Sequence, residues 1–175
     1  PLLRGFLASK NQEISETAAI ALGILAHEKS IGTLAGLIDD SDEARGWVGQ
    51  PEVPYRTRAF AAYGLGLVGE TIGRESDRLR IVEILHGVLR SDLSKTRDVK
   101  AACVIALGMV PLEAGTDAEG ETADRLAPRT RSAQLDHLLA LLRDESQPWL
   151  VRAHCPRALA RLCNANLSSG EQELY

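Results

Sequence analysis

Apolar residues recur three and four positions apart along most of the chain, which is the spacing of one face of a helix and not of a strand. The pattern is also periodic on a longer scale. The block Ile14 to Leu25 returns without a gap as Thr57 to Val68, Val99 to Val110 and Val151 to Leu162. Each block centres on a leucine: Leu22, Leu65, Leu107 and Leu159. A small residue precedes it (Ala21, Gly64, Ala106, Ala158), and another follows it (Gly23, Gly66, Gly108, Ala160). A shorter apolar pattern alternates with these blocks, at Leu3–Leu7, Leu34–Ile38, Leu85–Leu89 and Leu138–Leu142.

These two patterns define a two-helix unit, A then B, and predict eight helices in the order B0, A1–B1, A2–B2, A3–B3, A4, with B0 short. The fold class is all-α, with no sheet. The chain reads as a single repeat domain over 1–175, with helix pairs at about 12–40, 55–91 and 97–143 and partial repeats at 1–9 and 148–165. Neither helix of a pair can bury its apolar face alone, so neighbouring units must cover one another. The four leucines are expected in the core. Glycine inside a helix costs about 1 kcal/mol relative to alanine, so its recurrence at the flanking positions points to close approach of neighbouring helices. Local signals refine the ends. Ser30 and Ser76 are candidate N-caps for B1 and B2. Pro111 and Gly115 should end A3. Pro148 suits the start of A4, and Pro156 should kink A4 or delay its start.

Two inserts interrupt the period, at 41–54 and 111–131. The first joins B1 to A2 and the second joins A3 to B3, which places them on opposite edges of a stack. The first carries Trp47 in a stretch rich in Gly and Pro, with Val48 and Tyr55 nearby; Trp47 is either folded back on the stack or offered to a partner. The second is acidic at Glu113, Asp117, Glu119, Glu121 and Asp124, then basic at Arg125, Arg129 and Arg131, and reads as a solvated loop.

The block from Val151, which reads Val-Arg-Ala and then Ala-Leu-Ala-x-Leu, resembles the first helix of a HEAT repeat, as does the block from Val99. Leu141-Leu142-Arg143-Asp144 looks like the end of a HEAT second helix. The resemblance covers residues 1–165, roughly, and implies an α-solenoid of stacked antiparallel helix pairs, a right-handed superhelix with the B helices on its concave face. It also implies a ladder between an Asp of each inter-repeat turn and a basic residue early in the next A helix: Asp40 with Arg58, Asp92 with Lys100, Asp144 with Arg152.

Composition narrows the functional classes. With a net charge of −4, the chain lacks the basic footprint of a nucleic-acid-binding domain, and no apolar run is long enough to cross a membrane. Gly64-Leu65-Gly66-Leu67-Val68-Gly69 matches the dinucleotide-binding fingerprint in letters, but that chemistry needs a preceding strand, and here the preceding residues are helical. Cys103 and Cys155 share one repeat position, where the other copies have alanine, and Cys163 follows on the same helix as Cys155. No CxxC or HxxxH spacing supports a metal site, and three cysteines without a pairing pattern mildly favour a reducing, cytoplasmic compartment. The absence of an initial Met suggests a piece of a longer protein. We expect no catalytic set, cofactor or metal. The expected function is a non-catalytic protein-interaction scaffold, with Glu83, His86, Asp136 and His137 on the B helices and Trp47 and Tyr55 at the first insert as partner contacts. A bilin-lyase-type enzyme and a nucleic-acid-binding domain, both built on HEAT-like repeats, are the alternatives.

Overall fold

The computed structural model describes residues 2–91, 96–115 and 127–165. Among these residues it is all-helical, with nine α-helices and no strand. They are α1 (Leu2–Gly5, running into a 3-10 turn at Phe6–Ala8), α2 (Gln12–Ile24), α3 (Glu28–Asp39), α4 (Asp42–Val48), α5 (Tyr55–Thr71), α6 (Glu75–Arg90), α7 (Arg97–Leu107), α8 (Arg131–Arg143) and α9 (Trp149–Asn164).

The four A blocks become α2, α5, α7 and α9. All four start at one repeat position: their N-caps Asn11, Pro54, Thr96 and Pro148 each stand three residues before the block. Asn11 and Thr96 accept backbone N–H groups on their side chains, whereas the two prolines have no acceptor to offer. Pro156 lies inside α9 without delaying its start, which remains at Trp149. The end of α7 comes earlier than Pro111 suggests, with Gly108 as its C-cap.

The A helices pack in series, α2 on α5, α5 on α7 and α7 on α9. The small residues set this register. A Cβ built on Gly23 would stand 2.5 Å from the Gly64 Cα; on Gly66, 2.9 Å from the Ala106 Cα; on Gly108, 2.5 Å from the Ala158 Cα. In every case the small residue after the leucine meets the small residue before the leucine of the next A helix. The dinucleotide-like glycines are part of this packing, since Gly64 also lies against the Ala19 carbonyl and Gly69 against Val110. Leu65 and Leu107 are buried between neighbours, as the repeat predicts. Leu22 and Leu159 are only partly buried, because α2 and α9 are the outer A helices of the described series.

The B blocks become α3, α6 and α8, and each packs more extensively on the A helix that follows it than on the one that precedes it. The expected acid–base ladder takes a different form. Arg58, 8% exposed, donates from Nε to the Ile38 carbonyl at 3.0 Å, and Arg152 donates from Nε to the Leu142 carbonyl at 2.9 Å. Ile38 and Leu142 are the penultimate residues of α3 and α8, so each arginine satisfies a terminal carbonyl and meets the negative end of the helix dipole. The aspartates hydrogen-bond elsewhere, Asp40 with Arg45 and Asp144 with Ser146 and Gln147, while Arg58 and Arg152 still stand near enough to help hold the Asp40 and Asp144 carboxyls below their ordinary value. Asp92 lies outside the described residues.

Three further expectations are corrected. The first insert contains a helix, α4, which raises the helix count from eight to nine; Ser41 caps it by accepting from the Ala44 N–H, Gly49 ends it at φ +65°, and Ala44 and Val48 are buried beneath it. Ser30 lies inside α3, whose N-cap is His27, with Nδ1 accepting from the Lys29 N–H. Ser76 lies inside α6, which begins after Arg74 without a side-chain cap. Part of the second insert, 116–126, lies outside the described residues, and with it Asp117, Glu119, Glu121, Asp124 and Arg125. Its two ends are joined by Gln134, 2% exposed, which donates to the Val110 carbonyl at 2.8 Å and accepts from the Leu112 N–H at 3.0 Å.

Candidate functional site

The B layer holds four of the candidate contacts. On α6, alternation of Ile81, Val82, Leu85 and Val88 toward the core leaves Glu83 exposed on the opposite side. On α8, Leu138 is buried and Asp136 is exposed. His86 and His137 bring the two helices together: their rings meet edge to face with centroids 4.8 Å apart. His86 is 5% exposed, so it is a packing residue and not an accessible contact, and His137 is half-buried beside it. The reason lies in helix geometry: position 86 follows Leu85 and precedes Val88, at the margin of the apolar stripe, where the His137 ring of α8 lies against it. Burial, and secondarily the charge of Arg90, push His86 below its ordinary value of 6.5.

The first insert separates its two aromatics. Trp47 is half-buried on α4, with its six-membered ring edge over Gly36 of α3, where a Cβ would stand 3.4 Å from Cζ3. The Arg4 guanidinium covers the ring at 4.5 Å from its centroid and also donates to Thr33 Oγ1 at 2.9 Å. Trp47 therefore sits on a helix and is folded back on the stack, clamped by a cation–π contact. Tyr55, by contrast, is the first residue of α5 and is exposed. It lines a cleft to which Trp47 does not contribute. Trp149 stands at the equivalent place on α9, after Pro148 as Tyr55 stands after Pro54, and is 69% exposed. This repeated Pro–aromatic pair was visible in the sequence as an echo between the second and fourth blocks.

Other sequence signals resolve into structure. Cys155 is buried, donates to the Val151 carbonyl at 3.7 Å, and burial pushes its thiol up to about 11. Cys163, on the same helix, is exposed. Among the described residues, no helix is long and apolar enough to cross a membrane. The chain matches no known family model, and no curated protein matches it.

Proposed function

We propose that this chain is a non-catalytic protein-interaction scaffold, built as a HEAT-like α-solenoid and reading a protein partner along its B-helix layer. One observation carries the reading: the same small-residue contact, after-leucine to before-leucine, recurs at Gly23–Gly64, Gly66–Ala106 and Gly108–Ala158. A chain that repeats one packing step in this way extends along an axis, and extended stacks present a continuous layer of side chains from successive units. That layer is α3, α6 and α8, where Glu83 and Asp136 are exposed. Their charge suits a neutral or basic partner patch, with modest salt dependence.

Immobilised wild-type chain and a Glu83→Arg/Asp136→Arg double variant should differ in what they capture from a lysate, with circular dichroism unchanged. Equal capture by both would place the interaction elsewhere. A catalytic reading on the same repeat, the bilin-lyase type, would require turnover of a bilin with an acceptor apoprotein, and no residue constellation in the B layer supports one.

A further inference from the structure

The starts of three A helices converge on one cleft of about 600 Å3, a size within the range of small-ligand sites. Gln12 and Ser15 bring the first turn of α2 to its wall, Tyr55 and Thr57 that of α5, and Thr96 the N-cap of α7. Each helix start carries partial positive charge. At α2 and α7 a side chain caps the first turn, but α5 begins after Pro54, which has no side-chain acceptor for the leading N–H groups.

A second, independent feature points into the same space. Thr57 is fully buried, lines the cleft, and its Oγ1 has no hydrogen-bond partner among the described residues. The other three copies of the repeat have Ile14, Val99 and Val151 at this position, so the fold itself calls for an aliphatic side chain here. A reciprocal bond to the N-cap N–H, open to a polar residue at the third helical position, is ruled out because the N-cap is proline. An unsatisfied buried hydroxyl is a stability cost, and it stands where a bound group would satisfy it.

The charges around it favour an anion. Lys10 and Arg58 line the cleft with Asp40 and Glu52. Asp40 is already held by Arg45, at 2.9 Å and 3.2 Å, and by the Val53 N–H at 2.6 Å. Nearby Glu16 is paired with Arg56 at 3.0 Å. Among the described lining residues Lys10 is then the accessible cation and Glu52 the accessible acid, while the Arg58 guanidinium, held by the Ile38 carbonyl and close enough to Asp40 to lower its pKa, adds positive charge from the cleft wall. We propose that this cleft binds a small molecule bearing an oxyanion, a carboxylate or a phosphate, with the oxyanion on the first-turn N–H groups of α5 and the Thr57 hydroxyl, and the remainder of the cleft holding the body of the ligand.

The test is a titration of 15N-labelled chain with inorganic phosphate and, in parallel, acetate, each against sodium chloride at matched ionic strength. Saturable shifts of the Tyr55, Arg56 and Thr57 amides, the ones ahead of the Arg58 N–H that already donates to the Pro54 carbonyl, are expected with at least one oxyanion and not with chloride; the tighter of the two assigns the ligand class. Thr57→Val should fold with an unchanged or higher denaturation midpoint and lose at least about tenfold in affinity. Thr57→Ser should keep the affinity, and Glu52→Gln should tighten it roughly twofold by removing a like charge. Shifts no different from chloride overturn the proposal. So does a Thr57→Val chain that binds like wild type, and so does one that fails to fold, since that would show the hydroxyl to be structural.

Discussion

Glycine-to-alanine substitution should change sign between the two layers of this fold. Gly23 and Gly32 both lie inside helices, α2 and α3. At Gly32 an added Cβ meets nothing within 4 Å, so alanine brings only its helix preference, a gain of roughly 0.5–1 kcal/mol. At Gly23 the same Cβ would stand 2.5 Å from the Gly64 Cα, 2.6 Å from its oxygen and 2.9 Å from its carbonyl carbon. All three are backbone atoms, so no side chain can rotate away. Carbon atoms rest about 3.5–4.0 Å apart, so α2 and α5 must separate by about 1 Å. A gap of that size forfeits roughly a quarter to a half of the dispersion energy of each contact along the seam. Overpacking of this kind costs about 1–3 kcal/mol, or more when backbone must move, which outweighs the helix-preference gain. We expect Gly23→Ala to be destabilised by roughly 1–2 kcal/mol and Gly32→Ala to be stabilised. Urea denaturation followed by circular dichroism at 222 nm, roughly the helix minimum, separates the two by the midpoint at equal slope. If both variants shift the midpoint upward by similar amounts, the seam is not closely packed and the register described above is wrong.

Leu107→Ala, at a side chain 2% exposed between α5, α7 and α9, should cost about 2–5 kcal/mol by leaving a cavity; an unchanged midpoint would contradict its place in the core. His86, lowered below 6.5 by burial, binds its proton more readily in the unfolded chain. Its contribution is therefore lost as pH falls below about 6.5, and His86→Gln should reduce the loss of stability between pH 7 and the folded-state value, as read from denaturation midpoints across that range. With its thiol at about 11, Cys155 is almost wholly protonated at pH 8 and should react with a thiol reagent only on unfolding. Exposed Cys163 should react promptly in the native chain; mass spectrometry of the modified peptides distinguishes them.

The helical layers were legible because burial repeats. Leu65, Leu107 and the small residues beside them recur at fixed spacing, and a spacing of 3.6 has one structural meaning. The caps were less legible. Ser30 has the better intrinsic cap chemistry, yet the chain turns earlier, at His27, because Ala26 adopts φ +47° and ends the preceding segment there. The ladder was legible in its members and not in its direct bonds: Arg58 and Arg152 act on Asp40 and Asp144 through charge, but their Nε–H groups go to helix-terminal carbonyls, and α4, invisible as a helix within seven residues containing glycine, delivers Arg45 to Asp40 first. Glu83 and Asp136 could be placed on an exposed side from the stripe alone, whereas the ring contact of His86 is made with His137, which lies about fifty residues away in the chain. Gln134 gave no advance signal. Its role depends on two backbone groups, of Val110 and Leu112, that the chain must return to meet.

The glycine contacts also make the seam unforgiving. At Gly23, Gly66 and Gly108 the nearest atom of the next A helix is a backbone Cα, of Gly64, Ala106 and Ala158. A larger residue there cannot be accommodated by turning a side chain, so a whole helix must move instead. Each A helix between two others, α5 and α7, is held in this way on both sides. The seam therefore couples the size of one residue to the placement of a neighbouring helix, and through that helix to the contact on its far side.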